Sequence, residues 1–101
     1  MRMILFFDLP SVTDTDKKAY RHFVKDIKGE GFIMLQESVY VKLGFSQMIV
    51  DATMGRVKKL VPREGMVSVL TVTERQFASI EHLLGVPETD IVNSPERLIE
   101  L

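Results

Sequence analysis

The chain has 101 residues, 46% of them apolar and 27% charged, with a net charge of -1 at pH 7 and no cysteine. That length fits one domain with a modest core, and the lack of cysteine excludes disulfides and thiolate metal sites. The near-neutral charge argues against a protein wrapped in nucleic acid, no apolar run is long enough to span a membrane, and Asp8 interrupts the first run too early for a signal peptide, so a cytoplasmic location is expected.

Met3 to Phe7 is a short continuous apolar run, read as a buried strand. Alternation places Ile4, Phe6 and Asp8 on one face and Met3, Leu5 and Phe7 on the other. The run stops at Asp8, with Pro10 stiffening the exit. Two readings of Asp8 stand open here. It is a turn residue accepting hydrogen bonds from the following loop, or a strand-end metal ligand.

A helix is predicted between Thr13, paired with Asp16 as a cap, and the stop signals Gly29 and Gly31. Tyr20, Phe23, Val24 and Ile27 form its apolar stripe. Lys17, Lys18, Arg21, His22, Lys25 and Lys28 fall on one arc beside that stripe, so the helix is basic on one shoulder. Between positions 17 and 28 these cations face Asp26 alone, whereas residues 74 to 101 hold six acids against Arg75 and Arg97. A basic front and an acidic tail suggest two partner surfaces.

Phe32 to Leu43 reads as two strands separated by a hairpin or bulge at Gln36-Glu37-Ser38. Past the break, Val39, Val41 and Leu43 face one way, and Ser38, Tyr40 and Lys42 the other. Ser46 caps a second helix running to about Val61, with Phe45 predicted to staple against Val50. Gly55 inside it suggests a close approach. Met66 to Thr73 is another strand, apolar at nearly every position. The stretch after Thr73 has helical spacing at Phe77, Ile80 and Leu84 and, taken alone, reads as helix. The tail, with Pro87 and Pro95, ends in an alternating "RLIEL".

Strand, helix, strand, strand, helix, strand is the order of the α+β ferredoxin-like βαββαβ fold, an antiparallel sheet with two helices on one face. Two helices cover one face only, yet the first and last strands are apolar on both. Exposing such side chains forfeits about 1.5–3 kcal/mol each. A second copy stacked sheet to sheet in a symmetric homodimer supplies the missing cover. In that dimer two Asp8 side chains approach across the two-fold, and a divalent cation between them relieves their repulsion.

The chain has no phosphate loop and no nucleophile elbow. His22 sits on the basic arc, and His82 has no companion for a zinc site. Carboxylates therefore carry any chemistry, and Asp8 alone stands where an apolar strand stops.

The stretches "ILFFDLP" with Asp8, "KKAYRHF", "GFIMLQESVY" with Gln36 and Ser38-Val39-Tyr40, and "LTVTERQF" followed by "LLG" resemble, in this order, the small CRISPR-associated adaptation protein family, the second of the two universal adaptation subunits. They span most of residues 1 to 85. The last block is most similar to members from systems with a single large RNA-guided effector nuclease. The resemblance implies a ferredoxin-like domain over 1–85 and a sheet-to-sheet homodimer. It replaces the helix near Ile80 by a short helical turn and a strand at about Ile80 to Leu84. It makes 86–101 a tail that adds a strand to the partner's sheet or docks on another subunit.

The resemblance also implies Mg2+ at Asp8, with endonuclease activity on RNA or double-stranded DNA described for some members. It further implies an architectural role, in which the dimer bridges integrase dimers and holds the DNA to be inserted as a spacer. Some nuclease-active relatives carry an arginine just before the Gln-x-Ser-Val element. Met34 stands there in this chain, which removes a phosphate contact. On the enzyme reading Asp8 binds the metal and Ser38 orients substrate or water. On the scaffold reading Lys17, Lys18, Arg21 and Lys25 contact phosphates without reading sequence. A non-catalytic dimeric regulatory module that binds a ligand between its sheets is the alternative.

Overall fold

The computed structural model describes residues 1–87. Its elements are β1 (Arg2–Asp8), α1 (Asp14–Gly29), β2 (Ile33–Gln36), β3 (Val39–Leu43), α2 (Gln47–Lys58), β4 (Met66–Val72) and α3 (Glu74–Ala78). The four strands form one sheet in the order β2-β3-β1-β4, and every neighbouring pair is antiparallel. β3 lies between β1 and β2, and β1 between β3 and β4. This is the α+β ferredoxin-like arrangement expected from the element order.

The elements form where local chemistry marks them. Thr13 and Asp16 close a complete capping box at the start of α1, which satisfies two otherwise orphan amides. Ser46 Oγ accepts from the Ile49 amide at the start of α2. Phe23 and Ile27 from α1 and Val50 and Val57 from α2 pack on Met3, Leu5, Phe7 and Tyr40 of the sheet. Phe7 is the centre of an aromatic cluster, edge-on to Tyr20 and Phe23 and stacked on Tyr40 at 5.9 Å. Both helices therefore cover the same face.

The opposite face is open only in part among the described residues: Val41, on that face, is buried, whereas its β1 and β4 side chains are not. Ile4, Phe6 and Asp8 share it with Val39, Val41, Met66, Ser68 and Leu70 across the two ladders. Phe6 is 43%, Leu70 54% and Met66 69% exposed. The two-sided apolar character read from β1 and β4 is thus real, and one side of it faces solvent.

Several expectations are corrected. α2 ends at Lys58, not Val61, because Pro62 disfavours helical backbone at the residue before it. Phe45 is 81% exposed and does not staple. Val50 instead packs on the Gly44 backbone, so closely that a Cβ at Gly44 would meet Val50 Cγ2 at 2.6 Å. Gly55 faces open space, with no close approach. The break at Gln36-Glu37-Ser38 is both a tight turn and a bulge, since the register shifts between Met34 and Gln36.

After α3 no strand forms at Ile80–Leu84. A strand exists only where a neighbour's amides are in reach, and the chain does not run back along β4. Leu83 and Leu84 are left 91% and 97% exposed. The tail expected from 86 onward lies, past Pro87, outside the described residues.

Candidate nucleic-acid and metal site

β1 delivers Asp8 to the end of the sheet, and two backbone contacts hold that end. On one side the Phe7 amide donates to the Ser38 carbonyl at 3.1 Å, which ties the β2–β3 turn to the last residues of β1. On the other, Asp8 pairs with Met66, and Gly65 comes so close that a Cβ there would meet the Asp8 carbonyl oxygen at 2.6 Å. Gly65 has φ +101°, a conformation that favours glycine.

Ser38 has φ +64° and is the one non-glycine residue with positive φ among those described. That backbone costs a side-chain-bearing residue roughly 1–2 kcal/mol. Such strain persists where surrounding contacts impose it, and here the bond from Phe7 does so.

Nothing among the described residues donates a hydrogen bond to the Asp8 carboxylate or pairs with its charge. The reading of Asp8 as a turn residue bonded by its own loop does not hold. The loop's polar groups bond one another instead, Thr13 to Asp16.

Asp8 opens into a cleft of about 420 Å³ whose walls include Lys17, Tyr20, Arg21, Glu37 and Ser38. The structure thus brings together four of the residues singled out from the sequence: Asp8, Ser38, Lys17 and Arg21. Lys25 lies further along α1, beside a second depression. Lys18 is exposed on the same helix and borders neither cavity. None of the four cations Lys17, Lys18, Arg21 and Lys25 is in an ion pair among the described residues. His22 is: its Nε2 lies 3.5 Å from Asp26. Met34 stands opposite Tyr40 and packs against the core, so it reaches no phosphate.

Glu37 and Tyr20 also line the cleft and were not singled out as site residues. Glu37 reads in sequence as part of a polar break, and Tyr20 as part of an apolar stripe. Glu37 stands beside Asp8 because the β2–β3 turn folds onto the end of β1, a register that no local pattern encodes. Among the described residues no three of His, Cys, Asp and Glu converge to hold an ion. Asp8 and Glu37 are the two carboxylates of the cleft.

The family described as CRISPR associated protein Cas2 matches residues 1–80. The chain belongs to the Cas2 family. A Streptococcus mutans serotype c protein named CRISPR-associated endoribonuclease Cas2 is 48% identical over all of this chain and 93% of its own length. A Treponema denticola protein of the same name is 44% identical over the full length of both. The crystal structure of Streptococcus pyogenes Cas2 superposes with a TM-score of 0.62 at 18% identity, covering 82% of this chain and 99% of that one. That likeness extends the Cas2 assignment to the fold. All six candidate residues, Asp8, Lys17, Lys18, Arg21, Lys25 and Ser38, lie within the part matched to Cas2.

Proposed function

We propose that the chain is a CRISPR adaptation subunit that works as a sheet-to-sheet homodimer. In this role it bridges integrase dimers, holds the DNA to be inserted as a spacer, and carries a Mg2+-dependent endonuclease site for RNA or double-stranded DNA at Asp8. The observation that carries the reading is the gathering of Asp8, Ser38, Lys17 and Arg21 in one cleft. The endoribonuclease names of its relatives support phosphodiester chemistry there.

The open part of that face, Phe6, Met66 and Leu70, supports the dimer. Asp8 lies on that face with Ile4 and Phe6, so pairing through it brings both Asp8 side chains towards one axis. The donor set suits Mg2+, which takes one or two carboxylates and completes its shell with water and phosphate oxygens. Asp8, with Glu37 in the same cleft, supplies those carboxylates. Held there, Mg2+ would supply polarisation of a phosphodiester and a lower pKa for an attacking water.

The other residues position the strand. Arg21 presents a planar fork to phosphate oxygens and Lys17 a point charge. The Ser38 hydroxyl orients water or substrate from a turn whose backbone is already constrained. The acidic tail faces protein in this reading, on the integrase side.

Asp8→Ala tests the chemistry and the assembly separately. Metal-dependent cleavage of RNA and duplex DNA is expected to vanish, while dimer mass by light scattering and capture of the integrase stay as in wild type. Spacer acquisition that survives the substitution assigns the cellular role to bridging alone. A monodisperse particle of 11.5 kDa in dilute buffer ends the dimer reading.

A further inference from the structure

Beyond the Asp8 cleft, along α1, lies a second open depression of about 410 Å³, lined by Tyr20, Arg21, Val24, Lys25, Lys28 and Tyr40. Its volume is in the range of small-ligand pockets. It has an apolar floor and a cationic rim. Arg21, Lys25 and Lys28 are spaced i, i+4 and i+7, so they line one side of the helix. None of the three is in an ion pair among the described residues.

Tyr40 supplies a second, independent observation. It is 5% exposed, yet its hydroxyl has no hydrogen-bond partner among the described residues, and neither has that of Tyr20. A phenol that lines a cavity, buried without a partner, calls for a water or a ligand. Burial first, and the neighbouring Tyr20 second, hold the Tyr40 phenol above its ordinary value of 10.0.

The depression and the Asp8 cleft share Tyr20 and Arg21 as a common wall. The two depressions are therefore contiguous. From Lys17 to Lys28 the helix provides about 16 Å of continuous track. A base inside a duplex is paired and stacked and cannot enter an aromatic-floored pocket, whereas an unpaired base can.

We propose that the Tyr20–Tyr40 depression is a subsite for one unpaired nucleotide of a bound strand, with its base on Tyr20 and its phosphate held by Arg21, Lys25 and the Tyr40 hydroxyl. The path of the strand rests on reading the Asp8 cleft as a phosphodiester site; the pocket's chemistry does not.

Tyr20 and Tyr40 are the two tyrosines of a chain without tryptophan, so intrinsic fluorescence reports on this pocket directly. With the full chain, titration with a nucleoside monophosphate should change tyrosine emission. Tyr40→Phe should weaken binding of the monophosphate and of a single-stranded oligonucleotide about tenfold, the loss of one hydrogen bond to a charged acceptor. Blunt-duplex affinity should not change. Because the hydroxyl is unpartnered in the free protein, the melting temperature of Tyr40→Phe should equal or exceed that of wild type.

Unchanged monophosphate and single-strand affinity in Tyr40→Phe overturns the proposal, and so does an equal loss for the blunt duplex. The two readings fail separately. If Asp8→Ala loses cleavage while Tyr40→Phe binds as wild type, the pocket is wrong and the Asp8 site stands. If Asp8→Ala changes nothing while Tyr40→Phe loses the monophosphate, the Asp8 site is wrong and the pocket stands.

Discussion

The two ends of the sheet treat their charges in opposite ways. At the Arg2 end the charges satisfy one another. Arg2 Nε lies 3.0 Å from Glu74, its guanidinium sits 4.6 Å over the Phe77 ring, and the chain's amino group bonds the Gly44 carbonyl at 3.1 Å. At the Asp8 end nothing comparable happens. Asp8, Lys17 and Arg21 line one cleft with no ion pair among the described residues. Charges neutralised within the chain fasten α3 to the sheet, and charges left open are available to a ligand. That difference, more than residue type, separates the internally paired end from the candidate site.

The comparison breaks most sharply if the open cations do nothing. Reversing Lys17, Lys18, Arg21 and Lys25 to Glu should abolish duplex binding. Single reversals should lower the slope of log affinity against log salt by about 0.9 for each phosphate that is no longer neutralised. Filter binding at several salt concentrations measures this. An unchanged slope would make α1 a plain solvated face.

Gly65→Ala probes the backbone that holds Asp8. Its Cβ meets the Asp8 carbonyl at 2.6 Å and its φ is +101°. A loss of about 1–3 kcal/mol in denaturant unfolding is expected, together with weaker metal-dependent cleavage. Stability lost with cleavage intact would show that Asp8 tolerates displacement. At the other end, Arg2→Ala should cost about 1 kcal/mol, since the pair is partly exposed and the ring contact adds a similar increment. It should leave nucleic-acid affinity unchanged. A loss of affinity there would erase the distinction between the ends.

The smallest effect is a pH dependence. An unfolded phenol ionises near 10.0, whereas burial and Tyr20 keep Tyr40 protonated to higher pH in the folded chain. The associated stability is fully present below pH 10 and is lost as pH rises through the folded value. Thermal unfolding above pH 10 should therefore fall more steeply in wild type than in Tyr40→Phe.

Much of the fold was legible because its signals are local. The Thr13 box, the alternation of β1 and the stripe Tyr20, Phe23, Val24 and Ile27 each act within a few residues. The errors came where a distant neighbour decided. Val50 packs on Gly44, not Phe45, because β3 and α2 set that angle together. Ile80 to Leu84 form no strand because a strand's existence depends on an edge that lies elsewhere. In the site, Asp8 was legible as a polar residue ending an apolar run, but Glu37 and Tyr20 were not. One belonged to a turn and the other to a core stripe until the hairpin register brought Glu37, and the packing of α1 on the sheet brought Tyr20, into the cleft with Asp8.

Sequence alone determined the order of elements, the basic shoulder of α1, the two-sided apolar character of β1 and the position of Asp8 at its end. These follow from periodicity and from residue chemistry at short range. Tertiary structure decided that Asp8 accepts no hydrogen bond from its own loop, that Ser38 takes a left-handed backbone, and that Lys17 and Arg21 share a cleft with Asp8 while Lys25 borders the Tyr20–Tyr40 depression. Those facts depend on strand register and helix placement, which are set by contacts between residues far apart in the chain.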